Sequence, residues 1–106
     1  MKLAIIIYST DSEVVYNAFR LANFALNNQD EVSVFLLAKG VEFESLDSQQ
    51  FPIIDLANQF ITNSGNILAC GTCLHLRNQN STELCPLSTM KDLYELIRDC
   101  DKTVSF

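Results

Sequence analysis

The chain has 106 residues, of which 48% are hydrophobic and 19% are charged. This length is near the commonest domain size, so we expect one domain over residues 1–106 around one core, and the composition argues against intrinsic disorder. Seven Lys and Arg against thirteen Asp and Glu give a formal charge of −6. Because no basic cluster offsets that charge, we expect no nucleic acid among the partners.

Residues 1–8, "MKLAIIIY", are similar to the start of a signal peptide. Polar residues 9–13 follow at once, which is far short of a membrane span or of a full apolar region with a cleavage site. We therefore expect a cytoplasmic protein that has no membrane partner. In a reducing cytosol the four cysteines are expected to be reactive, metal-binding or buried, although their even number leaves a secreted disulfide framework formally possible.

The first part of the chain predicts a strand followed by a helix. Residues 3–8 form a continuous apolar run, which is typical of a strand that is buried on both faces. Thr10 with Glu13 fits a capping box at the start of the helix. The predicted sheet-facing stripe of this helix is Val14, Ala18, Leu21, Ala22 and Ala25, flanked by Val15, Phe19 and Leu26.

A second strand and helix follow. Residues 31–38 predict the strand, and Gly40 then allows a turn that a side chain would obstruct. The polar residues 42–50 are expected to form a surface loop. Pro52 suits the first turn of a helix that stops at residues 63–65. The apolar face of that helix is Ile53, Leu56, Ala57, Phe60 and Ile61.

A short third strand, residues 66–69, runs straight into Cys70. Gly71 and Thr72 can start a brief helix with Thr72 as its cap, and the chain is expected to stay irregular through residues 78–81.

The end of the chain predicts a last helix and a closing strand. Ser88 is expected to cap the helix, and residues 103–106 to form the strand. The apolar stripe of the helix is Met90, Leu93, Tyr94 and Ile97. This alternation of strands and helices predicts an α/β fold with three layers, α/β/α, around a Rossmann-like, mainly parallel sheet of four or five strands.

In such sheets, ligands and reactive groups gather beyond the carboxyl ends of the strands. Three loops arrive there: residues 9–12, 39–41 and 70–73. The cysteine pair of "LACGTCLHLR" therefore lies where a functional site is expected.

Cys70 ends a strand and precedes a helix, so unpaired backbone N–H groups and the positive helix end are expected to face its sulfur. Such surroundings lower the pKa of a thiol and supply the thiolate that sulfur chemistry needs. His75 and Arg77 can add positive charge, although one helical turn could equally point them into solvent. The alternative is that Cys70 is a small buried residue. The candidate catalytic residues are Cys70 and Cys73, and the candidate binding residues are Gly71, Thr72, His75, Arg77 and Gly40.

Cys70 and Cys73 also have the spacing of a dithiol redox motif, but a thioredoxin-like protein needs its own strand order and usually an aromatic residue or proline beside the first cysteine. A zinc site needs about four ligands, usually as two pairs. Cys85 and Cys100 are single and far apart, and Cys100 is expected to pack in the core. We therefore expect neither a metal nor a cofactor. A nucleotide site of flavodoxin type is disfavoured because residues 9–12 lack the glycines that wrap a phosphate.

The order of these segments resembles the DsrE/DsrF-like family of sulfur-relay proteins. The likeness is carried by "KLAIIIYST", "VSVFLLAKGV", "NILACGTCLHLRN" and "DCDKTVSF", and it spans nearly the whole chain. The resemblance implies a Rossmann-like sheet, assembly into trimers or hexamers, and a persulfide-carrying cysteine at Cys70. Cys73 matches a second cysteine that part of the family has, and Cys100 lies where some members also have one.

From the thiol at a strand-to-helix junction and this resemblance, we expect a sulfur carrier or sulfurtransferase-like protein. Cys70 would hold sulfane sulfur as a persulfide, and Cys73 could resolve that persulfide as a disulfide. The expected partners are sulfur donor and acceptor proteins, together with copies of the chain or related subunits. The alternative is a noncatalytic subunit whose cysteines pack an oligomer or bind a metal, since a fold alone does not establish transferase activity.

Overall fold

The structure is a computed structural model that describes residues 1–77 and 87–106. Within these ranges, parallel strands form one five-stranded sheet in the order β4-β3-β2-β1-β5. The strands are β1 (Lys2–Ile7), β2 (Glu31–Leu36), β3 (Asn66–Cys70), β4 (Leu87–Ser88) and β5 (Lys102–Ser105).

Helices cover both faces of this sheet. They are α1 (Ser12–Asn27), α2 (Ile53–Thr62), α3 (Gly71–Leu76) and α4 (Met90–Asp99), with a 3₁₀ helix over Ala38–Leu46. α1 and α2 pack together on one face, whereas α4 packs on the other. The predicted three-layer α/β/α fold with a parallel sheet is confirmed.

None of the helices in the described ranges combines the length and the apolar character that crossing a membrane requires.

The strand register decides which residues face which layer. Ile5 pairs with Val34, and both lie in the large core under α1 and α2. One step along, Ile6 pairs with Phe35, and both lie in the smaller cluster under α4, because successive strand residues alternate between faces. Cys70 belongs to the same cluster as Phe35. The last residue of β3 therefore directs its thiol toward the layer of α4.

The buried face of α1 overlaps the predicted stripe at Ala18, Ala22 and Ala25 and is rotated toward Phe19. Val14 and Leu21 of the predicted stripe are exposed. The buried residues are Val15, Ala18, Phe19, Ala22, Asn23 and Ala25. The apolar arc of α1 is wider than its contact, and Phe19 decides which part is buried because its ring packs against those of Phe43 and Phe60.

The capping residue of α1 is Asp11, so the predicted capping box of Thr10 and Glu13 is wrong. The Asp11 Oδ1 accepts a hydrogen bond from the Val14 N–H at 3.1 Å, and the Ser9 Oγ accepts one from the Asp11 N–H at 3.0 Å. A carboxylate at this position satisfies an unpaired N–H and complements the positive end of the helix. Asp11 thus has the capping role that was expected of this loop.

Residues 42–50 are not wholly a surface loop, because the 3₁₀ helix continues to Leu46. Phe43 in this segment is fully buried, with its ring centroid 5.7 Å from that of Phe19. Burying one such side chain stabilises the fold by about 1.5–3 kcal/mol. A single aromatic residue among polar neighbours therefore holds the segment on the core.

The chain leaves β2 through two unusual positions. Ala38 has φ of 52°, a left-handed conformation that costs free energy in any residue with a side chain. At Gly40 an added Cβ would lie 2.0 Å from the Ile7 carbonyl oxygen. The turn itself is made at Ala38, and Gly40 is needed because its backbone lies directly against the end of β1.

α3 follows β3 without an intervening loop. Cys70 takes the N-cap position that was predicted for Thr72, which is exposed in the first turn instead. The irregular segment predicted at residues 78–81 lies outside the described residues.

The cap of α4 is Thr89 and not the predicted Ser88. The Asp92 Oδ2 accepts hydrogen bonds from the Thr89 N–H at 2.9 Å and from the Thr89 Oγ1 at 3.0 Å, as part of a capping box. Ser88 belongs to the two-residue strand β4, where it pairs with Cys70.

α4 contacts the sheet through only one edge of its apolar arc. Leu93 and Leu96 pack on the sheet, whereas Met90 and Tyr94 are each 62% exposed and Ile97 is 51% exposed. The predicted stripe is therefore wrong except at Leu93. The apolar residues of α4 cover roughly 160° of its circumference, so one contact cannot bury them all. We call Met90, Tyr94 and Ile97 the outer α4 face.

Gly40→Ala is expected to lower the free energy of unfolding by about 1–3 kcal/mol, because the new methyl group would overlap the Ile7 carbonyl oxygen and force the two backbones apart. Urea unfolding followed by circular dichroism measures the change. The exposed neighbour Lys39 provides the control, since Lys39→Ala should alter stability by less than about 0.5 kcal/mol. Equal stability of Gly40→Ala and the unmodified chain would contradict the close approach.

Candidate functional site

The carboxyl ends of β1, β2 and β3 meet at one edge of the sheet, as predicted. The Leu37 N–H donates to the Ile7 carbonyl oxygen at 2.9 Å, which joins the ends of β2 and β1. The Ala38 N–H donates to the Cys73 Sγ at 3.2 Å, which joins the end of β2 to α3. The segments after these strands are therefore brought into direct contact around the cysteine pair.

Cys70 is the inner thiol of the pair. It is 5% exposed and packs with Phe35 and Leu93 under α4. Although Cys70 occupies the N-cap position of α3, its side chain makes no capping hydrogen bond. The expectation that backbone N–H groups of the helix start converge on this sulfur is therefore wrong. The Cys70 side chain instead packs with Phe35 and Leu93 under α4.

Cys73 is the outer thiol and is only partly buried. Its sulfur accepts the Ala38 N–H, and its thiol is hydrogen-bonded to Cys70. The strained conformation of Ala38 and this hydrogen bond occur at the same residue. The backbone N–H that was expected at the first cysteine is thus supplied to the second one, from the 3₁₀ helix that follows β2.

Opposing influences act on the pKa of the Cys73 thiol. Burial and then the hydrogen bond with Cys70 raise this pKa, whereas the Ala38 N–H and the charge of Arg77 lower it. The net direction is upward. The upward shift favours the protonated form of the Cys73 thiol beside Cys70.

Arg77 lies beside the cysteine pair, as expected. Its Nη1 donates to the Cys73 carbonyl oxygen at 3.1 Å, and its Nε donates to the Glu42 Oε2 at 2.6 Å. Glu42 lies in the 3₁₀ helix after β2 and was not among the predicted site residues. Nothing in the sequence marked it, because it was one acidic residue in a segment that was taken for a surface loop.

The other predicted binding residues do not contact the thiols in the described part of the chain. Thr72 and His75 are exposed on α3. Gly71 packs against β4, where an added Cβ would lie 3.1 Å from the Ser88 carbonyl oxygen. Gly40 contacts the β1 backbone. The two glycines thus have packing roles, and the two polar side chains face solvent.

Cys100 is remote from the pair and ends α4 at its C-cap. It is half-buried and lines a cavity of about 270 Å³ between α4 and the sheet, together with Lys2 and Glu31. Burial and then the charge of Glu31 raise the pKa of its thiol. The predicted core position of Cys100 is therefore only partly correct, and Cys85 lies outside the described residues.

Residues 1–77 and 87–106 contain no group of three or more His, Cys, Asp or Glu side chains arranged to bind a metal ion. The described residues thus supply no ligand set for the zinc alternative.

Cys70→Ala is expected to lower the pKa of Cys73, because it removes the sulfur that holds the Cys73 proton and a neighbouring site of negative charge. The pH dependence of maleimide labelling, read at Cys73 by mass spectrometry, measures this pKa. Cys100→Ala is the matched control and should leave the labelling midpoint of Cys73 unchanged. A midpoint that stays in place or rises in Cys70→Ala would contradict the thiol–thiol hydrogen bond.

Comparisons with known proteins agree with this architecture. Residues 1–106 match the DsrE/DsrF-like family. An uncharacterized protein of Methanocaldococcus jannaschii is 31% identical, with the whole of both chains covered. An uncharacterized protein of Methanopyrus kandleri is 30% identical over 89% of this chain and 83% of its own length.

Two solved structures share the fold. The YchN protein of E. coli has a TM-score of 0.79 at 22% identity, with all of both chains covered. A conserved protein of unknown function from Bacteroides thetaiotaomicron has a TM-score of 0.82 at 19% identity, covering 99% of this chain and 94% of the other. The structural likeness concerns the fold, and the match over every residue of the sequence decides the family. The chain belongs to the DsrE/DsrF-like family.

Proposed function

We propose that this protein is a sulfur carrier that accepts sulfane sulfur as a persulfide on Cys70. The observation that carries the proposal is the proximity of two thiols at the carboxyl edge of a parallel sheet, where the partly buried Cys73 packs against the cluster that holds the buried Cys70. Membership of the DsrE/DsrF-like family supports a role in sulfur relay. Whether the transfer is catalysed by this chain or only relayed through it depends on the partners.

In the loading step, the Cys70 thiolate attacks the outer sulfur of a donor persulfide. A Cys70–S–S bond forms, the S–S bond of the donor breaks, and the donor leaves as a thiolate. The outer sulfur keeps its proton, so Cys70 carries the sulfane sulfur as a neutral persulfide, Cys70–S–SH, and charge and electrons balance without an external oxidant.

Cys73 supports this step through its proton. A hydrogen bond donated to a charged sulfur stabilises the negative charge, and burial opposes it. Cys70 is 5% exposed, so the S–H of Cys73 is the donor that offsets the apolar contacts with Phe35 and Leu93. Arg77 adds a positive charge close to Cys73.

The persulfide has two outcomes. An acceptor thiolate that attacks the outer sulfur takes the sulfane sulfur and releases Cys70 as a thiolate. If the Cys73 thiolate instead attacks the inner sulfur, a Cys70–Cys73 disulfide forms and hydrosulfide leaves. A thiol reductant must then reduce the disulfide before the next cycle.

The proposed partners are donor and acceptor thiol proteins and further copies of the chain. The outer α4 face supports assembly, because exposed apolar residues that lie side by side mark interaction surfaces. Side chains of both signs flank it, including Lys91 paired with Glu95 at 3.3 Å. The face is therefore not uniformly negative, although each copy carries an overall charge of −6. The same face is what favours the second candidate function, a noncatalytic subunit.

Incubation with a low-molecular-weight persulfide should add the mass of one sulfur to the protein, which intact-mass spectrometry detects. Cys70→Ser should abolish the gain, because it removes the accepting sulfur. Cys73→Ser should retain the gain and show less released hydrosulfide, because the resolving thiol is missing. Cys100→Ser serves as the control and should behave like the unmodified chain.

Two results would count against the carrier role. One is an unmodified protein after exposure to the donor, and the other is a sulfur that maps to Cys100 instead of the pair. An unmodified protein that is nevertheless oligomeric would favour the noncatalytic subunit.

Tyr94→Glu is expected to convert an oligomer to monomers, because it places a charge in the outer α4 face. Light scattering coupled to size-exclusion chromatography measures the mass of the particle. Phe24→Glu is the matched control, since Phe24 is an exposed aromatic residue on α1, at 68% exposure, and its replacement should leave the oligomer intact. A monomeric unmodified chain at all concentrations would overturn the assembly proposal.

A further inference from the structure

Two contacts join the α3 segment to the 3₁₀ helix that follows β2, and a third lies within the α3 segment. The Arg77 Nε donates to the Glu42 Oε2 at 2.6 Å, the Arg77 Nη1 donates to the Cys73 carbonyl oxygen at 3.1 Å, and the Ala38 N–H donates to the Cys73 Sγ at 3.2 Å. Each contact involves either Cys73 or the residue that ends α3. Together they keep the outer thiol in place against Cys70.

We propose that Glu42 is a positioning residue, whose ion pair with Arg77 holds α3 closed over Cys70 and so controls the access of thiol-reactive molecules to the inner sulfur. The inference rests on the proposed function, since access matters for sulfur transfer only if Cys70 receives the sulfur. Glu42 thereby joins the site as a residue that positions Cys73 through Arg77.

The burial of Cys70 limits the access of other molecules to its thiol. Because Cys70 is only 5% exposed, a donor of sulfur is expected to reach it only when a neighbouring group moves. Cys73 is the partly exposed neighbour that is hydrogen-bonded to this sulfur. A displacement of α3 that carries Cys73 away would open Cys70 with no change in the sheet.

The stability of α3 depends on its contacts with the rest of the protein. α3 has six residues, which is too short for a helix to be stable without tertiary contacts. Arg77 is its C-cap residue, so the ion pair with Glu42 acts at the end of the helix opposite to β3. The contact at Arg77 therefore fixes the C-terminal end of α3.

The strained backbone of Ala38 favours the displacement of α3. Its φ of 52° is held while its N–H donates to Cys73. Relaxing that conformation would break the hydrogen bond to Cys73, so strain release favours opening and the Glu42–Arg77 pair opposes it. The two side chains of the pair are 40% and 25% exposed, which makes the pair weak enough to open and sensitive to salt.

The test uses the full chain with all its cysteines and N-ethylmaleimide, a neutral probe. Labelling of Cys70 is followed by mass spectrometry with fragmentation at neutral pH, where Cys73 is still protonated, and the rate is divided by the thiolate fraction that the pH profile of the same variant gives. Glu42→Gln should raise this corrected rate of Cys70 roughly three-fold, as expected for the loss of a partly exposed ion pair. Raising the salt to about 0.5 M should accelerate Cys70 in the unmodified chain and leave the Glu42→Gln rate unchanged.

Glu95→Gln is the matched control, because it removes one negative charge from another pair, Lys91–Glu95 on α4, and should leave the Cys70 rate unchanged. An unchanged Cys70 rate in Glu42→Gln overturns the inference. So does equal acceleration of Cys70 and Cys100, which would indicate a general loss of folding. The experiment is independent of persulfide formation, so failure of sulfur loading and failure of the positioning role are distinguished.

Discussion

One hydrogen bond, from the Ala38 N–H to the Cys73 Sγ at 3.2 Å, organises the candidate site. It exists because parallel pairing sets Leu36 beside Ala69, so that β2 and β3 end side by side. It also requires the left-handed backbone of Ala38, which aims the N–H at α3. A sulfur that accepts this bond keeps its own S–H free for Cys70. The direction of the thiol–thiol contact is therefore fixed by backbone geometry.

This arrangement gives the two cysteines different chemical characters despite their identical side chains. Cys70 is enclosed by Phe35 and Leu93 and receives an S–H donor, whereas Cys73 contacts solvent and holds the proton. Burial would protect a persulfide on Cys70 from unwanted thiols, but it would also block the thiols of the proposed partners. The helix that supplies the stabilising donor is the same element that covers the sulfur, so reactivity and access are coupled through α3.

Much of the fold was predictable from the sequence because long apolar runs and helical periodicity report burial directly. The sequence could not resolve the rotation of α1 or α4, since both have apolar arcs wider than one contact. Leu21 and Tyr94 fit the predicted stripes, yet tertiary packing at Phe19 and Leu93 selected the adjacent faces. Phe43 was missed because one buried ring within a polar segment has no period to detect.

The position of the candidate site was predictable from the sequence, but the contacts between its residues were not. Strand order puts the residue after each strand at a shared edge, which sufficed to locate Cys70, Cys73 and Arg77. The partners Ala38 and Glu42 come from the segment after β2, about 35 residues away along the chain. No local pattern records such a contact, because it depends on which strand becomes the neighbour of β3.

α4 links the site to the proposed assembly. Leu93 on its inner side packs in the same cluster as Cys70, while Met90 and Tyr94 on its outer side are exposed. In an isolated subunit, Cys70 is thus covered on this side by a ten-residue helix that packs on the sheet through only one edge of its apolar surface. Burial of the outer α4 face by a second copy would add apolar contacts to the same helix and reduce its local opening. Assembly would then hold α4 more firmly over Cys70, whereas α3 would remain able to move. Sulfur would therefore reach Cys70 from the edge of the sheet where Cys73 and Arg77 lie.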